Sequence, residues 1–180
     1  MSRLTIPDRD TAPPASHALL DGVKAQFGSI PNLFRLTANS PAALEGYLAF
    51  SKALSRTLTP ARREQIALAV AEVNGCDYCL SAHTYIGTNL AKLSPAEIAL
   101  NRTGHASDAK TDAVLAFARA VALARGKVND ADLAAIRKAD VTDAEIIEIV
   151  AHVALNVLTN FINNVAETDI DFPVVRATAA

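Results

Sequence analysis

The two cysteines of the chain lie in one segment, Cys76-Asp77-Tyr78-Cys79, and His83 follows four residues after the second. On a helix, side chains three and four residues apart share a face, so this spacing would make both thiols and the imidazole neighbours. A thiol pair so placed can close a disulfide when one sulfur is oxidised, and a histidine one turn away can take the proton from Cys79. The segment therefore predicts redox chemistry at Cys76 and Cys79.

A carboxylate can complete this group. The Asn-Gly pair at 74–75 predicts that one helix ends and the next begins at Cys76. The amides and dipole of a helix N-terminus favour the thiolate at Cys76, whereas the charge of Asp77 opposes it. If the two helices fold back antiparallel, Glu64 returns near His83 and orients it as a base.

Other readings of the cysteine pair fit less well. A structural zinc site needs about four ligands, and Cys76, Cys79 and His83 supply three, with Glu64 the remaining candidate. Haem attachment requires histidine directly after the second cysteine, where Leu80 lies. A thioredoxin-like pair follows a strand, but the preceding residues have helical periodicity. A chance meeting of small buried residues with a core histidine is the remaining alternative, and we expect neither a metal nor a cofactor.

The composition favours an all-α fold. Hydrophobic residues make up 51% of the 180 residues and charged residues 20%, which excludes a disordered chain. Alanine is the commonest residue type, aromatic residues are only 5% and tryptophan is absent, so closely packed helices are favoured over a sheet. This length is typical of one domain, and we expect a single domain over residues 1–180.

Charge and hydropathy limit the partners and the location. The net charge of −2 and the lack of a basic run predict neither nucleic-acid nor membrane-surface binding. The first residues lack the apolar core of a secretory signal, and no window approaches about 18 unbroken apolar residues. Two cysteines are too few for a secreted disulfide scaffold, so we expect a cytoplasmic protein.

Capping residues predict where the helices begin. Ser40, Thr59 and Ser94 each precede a proline, and Ser94 and Thr142 also fit the capping-box pattern with a glutamate three residues later. Helices are expected near 41–56, 60–73, 76–90, 95–102, 109–125, 130–138 and 143–167, so about seven in all, with a further short helix at 19–27. Residues 1–18 are expected to form an extended arm, and 29–34 a proline-marked turn docked on the body.

The predicted helix at 143–167 is the longest and the most apolar. A three-to-four spacing indicates one buried stripe, made of Ile146, Val150, Val153, Val157, Phe161 and Val165. Further apolar residues, Ile147, Ile149, Leu158 and Ile162, widen this surface, so a second face is expected in the core or against another subunit. On the same helix, we expect His152 to pack in the core and Asn156, Asn160, Asn163 and Asn164 to lie at subunit contacts, with a polar lining to a pocket as the alternative.

A weak internal repeat appears at an offset of 83 residues. Thr59, Ala61, Ile66, Val70 and Ala71 align with Thr142, Ala144, Ile149, Val153 and Ala154. It indicates either a duplicated helical unit or the shared signals with which helices begin. The second copy has Thr159, Ile162 and Ala166 at the positions of Cys76, Cys79 and His83, so the chemistry belongs to the first copy.

Glu64, the Asn-Gly break and the Cys-x-x-Cys-x-x-x-His run at 76–83 together resemble the carboxymuconolactone decarboxylase superfamily, in its alkylhydroperoxidase D-like, peroxidase-related branch. The segments at 30–34, 102–104 and 160–166 are similar to that branch too. The resemblance implies an all-helical bundle that forms trimers or hexamers. It also implies reduction of hydroperoxides, with an external thiol reductant, in antioxidant defence. A general dithiol oxidoreductase, a redox sensor and a non-catalytic structural oligomer are the alternatives.

The resemblance also implies a role for each site residue. Cys79 would be the peroxidatic thiolate, Cys76 the resolving thiol and proton donor, and His83 the base, with Glu64 completing the proton relay. Tyr78 stands where lipoyl-linked alkylhydroperoxidase D proteins have a relay histidine. A phenol can donate a hydrogen bond, but with an ordinary pKa near 10 it is a poor base at neutral pH.

Overall fold

Helices begin where hydroxyl and carboxamide side chains cap them. In the computed structural model, which describes residues 2–178, the side chains of Ser40, Thr59, Ser94 and Thr142 each accept a hydrogen bond from the backbone N–H three residues on. The described residues form no strand, so the predicted all-α class is confirmed. The helices are α1 (His17–Phe27), α2 (Asn32–Thr37), α3 (Pro41–Leu54), α4 (Pro60–Val73), α5 (Asp77–Asn89), α6 (Pro95–Arg102), α7 (Ala109–Leu123), α8 (Asp130–Lys138) and α9 (Asp143–Ala166).

All seven main predicted helices are present, and α1 corresponds to the short helix expected at 19–27. α2 was not predicted, because the proline-marked turn expected at 29–34 continues into a helix from Asn32. Proline favours a helix start, and α2 buries Phe34 and Leu36. The N-terminal segment is helix-free only over residues 2–13, since a 3₁₀ turn at Pro14–Ser16 leads directly into α1.

One predicted capping box is wrong. The Ser94 hydroxyl accepts from the Glu97 N–H at 3.1 Å, but the Glu97 carboxylate accepts hydrogen bonds from Gln65, Asn101 and Ser107 instead. At Thr142 the box is complete, because the Glu145 carboxylate accepts from the Thr142 N–H at 2.8 Å. Local spacing predicts the hydrogen bond to the capping hydroxyl. The groups that surround the glutamate in the folded chain determine which N–H groups its carboxylate binds.

α4 is the central helix of the fold. Every residue from Gln65 to Glu72 is buried, and α4 packs against α5, α6, α7 and α9. Between Gln65 and Glu72, the side chains from Ile66 to Ala71 are all small or apolar, as expected of a helical stretch enclosed by other helices. The main core joins α4 to α7 and α9 and includes Ile66, Val114, Leu115 and Ile149.

The predicted buried stripe on α9 is wrong in register. Ile146 and Val153 are buried, but Val150, Phe161 and Val165 are 37%, 55% and 65% exposed. The buried face runs instead through Ile149, His152, Asn156, Asn160 and Asn163. Both sets have helical spacing, and periodicity alone does not tell which of two neighbouring faces meets the core.

By its length and composition, α9 could cross a membrane, and among the described helices it is the one with that property. Its residues Ile146, Ile149 and Val153 belong to the main core beside α4 and α7. Core helices of globular folds pass the same test, so length and composition alone do not make α9 a membrane span.

Candidate active site

The break between α4 and α5 places Cys76 at the start of a helix. Asn74 ends α4, and Gly75 has a φ of +59°, a left-handed conformation that glycine adopts without the strain of a side chain. Cys76 is then extended, and its Sγ accepts a hydrogen bond from the Cys79 N–H at 3.2 Å. The predicted stop and restart is confirmed, with Cys76 as the capping residue of α5.

The two cysteines lie side by side on the first turn of α5. Their Cα atoms are 5.3 Å apart, and the structure joins the two sulfurs in a disulfide. Cys76 is fully buried and Cys79 is 3% exposed, in an apolar cluster that includes Leu68, Leu80 and Ile98. The spacing therefore brings the two sulfurs within bonding distance on one helical turn.

Glu64 and His83 meet as expected. α5 folds back along α4, so the His83 Nδ1 lies 2.8 Å from the Glu64 Oε2, and both side chains are mostly buried. This contact fixes the orientation of the imidazole one turn after Cys79. The phenol of Tyr47 is close by. Burial, with a smaller contribution from the Glu64 charge, raises its pKa to about 12.

The Tyr78 side chain has structural hydrogen bonds. Its hydroxyl donates to the Asp171 Oδ1 at 2.9 Å and accepts from the Leu33 N–H at 3.1 Å. Burial raises the pKa of this phenol well above its ordinary value, since an ionised oxygen would lose hydration and face the Asp171 carboxylate. Tyr78 thus connects α5 to α2 and to the chain after α9.

The C-terminal segment, residues 169–178, covers the start of α5. Its apolar residues Ile170, Phe172 and Val175 pack on the cluster around the cysteines, and the Val175 N–H donates to the Ser81 Oγ at 2.9 Å. Arg176 forms an ion pair of 2.6 Å with Asp77. The negative charge next to Cys76, which disfavours a thiolate, is therefore balanced by a cation.

Glu72, near the end of α4, binds the same segment. Its carboxylate accepts from the Arg102 Nε at 2.8 Å and from the Thr178 N–H at 2.6 Å. Burial alone would raise the pKa of Glu72, but these hydrogen bonds outweigh it and hold the pKa below the ordinary value. Glu72 stays ionised and anchors the C-terminal segment beside the site.

The contact between Asn163 of α9 and the cysteine pair was not predicted from the sequence. The Asn163 Nδ2 donates to the Cys79 Sγ at 3.3 Å, and the side chain is 1% exposed. We expected Asn156, Asn160, Asn163 and Asn164 at subunit contacts, yet the first three are buried within the chain. The sequence did contain a signal for buried polar contacts, because these asparagines recur at helical spacing. A helix face of asparagines needs hydrogen-bond partners wherever it is buried.

A polar cavity of about 410 Å³ opens next to the dithiol. Its walls include Asp77, Tyr78, Asn163, Ile170 and Arg176. Since Asn163 also contacts the Cys79 sulfur, the cavity lies one side chain away from the cysteine pair. It provides space beside the site for a small polar molecule.

The other histidines lie elsewhere. His152 is buried with its Nε2 3.2 Å from the Thr57 Oγ1, and burial, helped by the charge of Arg63, lowers its pKa to about 4. His105 pairs with Asp112 at 3.0 Å on the surface, and His17 contacts the Ala12 carbonyl. Over residues 2–178, no cluster of three or more His, Cys, Asp or Glu side chains is arranged to hold a metal.

Known proteins are similar to this chain in sequence and in fold. The carboxymuconolactone decarboxylase family model matches residues 41–124, from α3 to the end of α7. A search of curated proteins found no match. A peroxidase-related protein with an alkylhydroperoxidase AhpD core, from Ralstonia eutropha JMP134, is 28% identical. The alignment covers 94% of this chain and 92% of that one, with a TM-score of 0.83.

Two further solved structures share the fold. A peroxidase-related protein from Silicibacter sp. TM1040 is 23% identical over 93% of this chain and 91% of its own, with a TM-score of 0.80. The debrominase Bmp8 is 20% identical over 93% and 91% of the two chains, with a TM-score of 0.78. With its cysteine pair at the start of α5, the chain is similar to the carboxymuconolactone decarboxylase family over residues 41–124 and shares the fold of the alkylhydroperoxidase AhpD core.

Proposed function

We propose that this protein is a thiol-dependent peroxidase that reduces organic hydroperoxides through Cys76 and Cys79, in antioxidant defence. The observation that carries the proposal is the grouping of a dithiol on one helical turn with a carboxylate-oriented histidine one turn later. The family and the Ralstonia relative, described as peroxidase-related, support an enzyme of this general type.

Cys79 is the proposed peroxidatic residue. It is the less buried of the two cysteines, and its sulfur faces the Asn163 amide, whereas Cys76 is enclosed. A thiolate is the reactive form of cysteine, and both the helix N-terminus and a nearby hydrogen-bond donor favour it. The Asp77–Arg176 ion pair removes the main opposing charge.

The reaction consists of two balanced steps. The Cys79 thiolate attacks one oxygen of the hydroperoxide and the O–O bond breaks, which leaves a sulfenic acid on Cys79 and an alkoxide that takes a proton to become the alcohol. The Cys76 sulfur then attacks the Cys79 sulfur, and water leaves as the disulfide forms. An external dithiol reopens the disulfide by exchange and is itself oxidised.

Glu64 and His83 are the proposed proton relay. The imidazole takes the proton from the Cys79 thiol and can return it to the leaving alkoxide, while the carboxylate holds the ring by its Nδ1. Tyr78 enters as a structural hydrogen-bond donor, since its raised pKa makes it unsuited to accept a proton at neutral pH.

A second copy of the chain is the proposed partner at α9. Ile147, Phe161 and Val165 are each more than half exposed, on a helix that is otherwise part of the core. An apolar surface of this kind indicates an interface, and a trimer or hexamer would cover it. We place the protein in the cytoplasm, where thiol reductants reopen disulfides. Light scattering on wild type and Phe161→Glu tests the assembly.

Steady-state peroxide consumption tests the proposed function. With tert-butyl hydroperoxide and dithiothreitol, the wild-type protein should consume peroxide catalytically and Cys79→Ser should not. Exchange with model disulfides without peroxide turnover would indicate a general dithiol oxidoreductase or a redox sensor instead. Identical, background-level rates for both proteins in peroxide and exchange assays would indicate a structural oligomer.

A further inference from the structure

Three asparagines of α9 contact the region where α4 gives way to α5. Asn160 accepts from the Asn74 Nδ2 at 2.9 Å, and the Asn164 Nδ2 donates to the Asn74 carbonyl at 2.8 Å. Between them in sequence, Asn163 directs its Nδ2 at the Cys79 Sγ, 3.3 Å away. The outer two therefore fix the position of α9 against the break, and the middle one is held at the sulfur.

Packing alone does not account for the Asn163 amide. The side chain is 1% exposed, and its Oδ1 is a buried acceptor with no hydrogen-bond partner among residues 2–178. A buried unsatisfied oxygen destabilises the folded state, and an apolar residue of similar size would avoid that loss. The amide nitrogen has the Cys79 sulfur as its partner, so the polar character of residue 163 is directed at the reactive pair.

A donor at this place distinguishes between the redox states of Cys79. The sulfur of a disulfide is a weak acceptor, whereas a thiolate is a full anion that gains strongly from an N–H directed at it. The surroundings are apolar, which strengthens the interaction with the anion. Asn163 therefore has its largest effect in the reduced, ionised form of the site.

We infer that Asn163 is a further catalytic residue, a hydrogen-bond donor that α9 supplies to the Cys79 thiolate. Its part in peroxide reduction rests on the proposed function, but its effect on the thiol does not. The inference adds a third element to the site, which otherwise consists of residues on α4 and α5.

The pH dependence of Cys79 alkylation tests this inference. Cys76→Ser leaves Cys79 as the one thiol of the chain, and its reaction with iodoacetamide follows the thiolate fraction. Adding Asn163→Leu should move the midpoint of the rate profile up by about one pH unit. Asn163→Asp, which keeps the shape but replaces the donor with a carboxylate, should move it further in the same direction.

Asn156→Leu is the matched control. Asn156 is also buried on α9, but its Nδ2 donates to the His152 carbonyl of its own helix at 2.8 Å. This variant should leave the alkylation midpoint where it is in Cys76→Ser alone. If Asn163→Leu does not fold, Asn163→Ala, which removes the donor without adding a charge, decides the question.

An unchanged midpoint in the folded Asn163 variants would overturn the inference and leave the residue a purely structural role. The midpoint is measured without peroxide. If it shifts while the wild-type protein fails to consume peroxide, the hydrogen bond is real and the proposed function is wrong. If peroxide is consumed but the midpoint stays, the proposed function stands without Asn163.

Discussion

α4–α5 and α9 begin alike and then differ. Thr59 and Thr142 cap their first turns in the same way, but the first stretch breaks at residues 74–76 and the second runs unbroken from Asp143 to Ala166. The break creates a new helix N-terminus and places Cys76 on it, which a continuous helix does not do. The continuous helix α9 thus provides packing and side-chain donors. The break between α4 and α5 provides the helix N-terminus that the proposed chemistry of the cysteines needs.

The two stretches also divide the site between them. Cys79, His83 and Glu64 belong to the interrupted stretch, and α9 contributes asparagines that brace it and contact the sulfur. Substitutions in the interrupted stretch should therefore change the chemistry, and those in the first half of α9 should change stability.

Loss of either sulfur should have the largest effect. Cys79→Ser should abolish peroxide turnover, because no nucleophile remains. Cys76→Ser should still react once with peroxide and stop at the sulfenic acid, because no second thiol resolves it. Trapping the sulfenic acid with dimedone and reading the intact mass checks both. Trapping in Cys79→Ser but not in Cys76→Ser would reverse the two roles.

Removing the carboxylate of the relay should have the next largest effect. Glu64→Gln leaves His83 without its charged hydrogen-bond acceptor and should lower the rate of sulfenic acid formation by about 10- to 100-fold. Asp112→Asn is the matched control, because Asp112 pairs with His105 at 3.0 Å on the surface. Stopped-flow thiol oxidation provides the rates, and equal rates in Glu64→Gln and wild type would exclude Glu64 from the relay.

Sequence predicted the interrupted stretch better than the continuous one. The bounds of α4 and the contact between Glu64 and His83 follow from local signals, namely a Thr-Pro start, an Asn-Gly stop and side chains that return when the chain reverses. The buried face of α9 depends on which neighbour it packs against, and its apolar periodicity indicated the wrong one. The sulfur contact of Asn163 depends on that same packing, so it was not predicted.

The C-terminal segment was also outside the reach of sequence reasoning. Residues 169–178 have no helical periodicity, and their positions depend on bonds to distant residues such as Asp77, Ser81 and Glu72. Tyr78 illustrates the same limit. Its place between the cysteines suggested a part in the relay, but its hydroxyl is held by Asp171 and Leu33.

On α9, the buried His152 should make stability depend on pH without affecting the peroxide reaction. Its pKa in the folded protein is about 4, below the ordinary 6.5, so the unfolded chain binds the proton more tightly between these values. The free energy of unfolding should therefore fall by roughly 1 kcal/mol as the pH drops from about 7.5 to about 5.5. Urea unfolding of wild type and His152→Gln checks this, since the variant should lose that part of the slope. Equal slopes would contradict it.

Substitution of the capping residues of α4 and α9 should have the smallest effects. Because the two residues have the same role, their variants compare the two helices directly. Thr59→Ala and Thr142→Ala should each lower the free energy of unfolding by about 1 kcal/mol. The loss should be larger at Thr142, whose hydroxyl and amide also bind the Glu145 carboxylate. Thermal unfolding measures both, and both variants should keep wild-type thiol chemistry. A larger loss of unfolding free energy in Thr59→Ala than in Thr142→Ala would contradict the extra stabilisation expected from the Thr142–Glu145 capping box.

A single-turnover thiol titration shows directly whether Cys76 and Cys79 reduce a hydroperoxide. Fully reduced protein is treated with one equivalent of tert-butyl hydroperoxide, free thiols are counted, and the peptide that contains both cysteines is identified by mass spectrometry. We predict that both thiols of the chain disappear together and that the peptide contains a Cys76–Cys79 disulfide. Two thiols still titratable after the peroxide is added would contradict a peroxide-reducing role for the dithiol of α5.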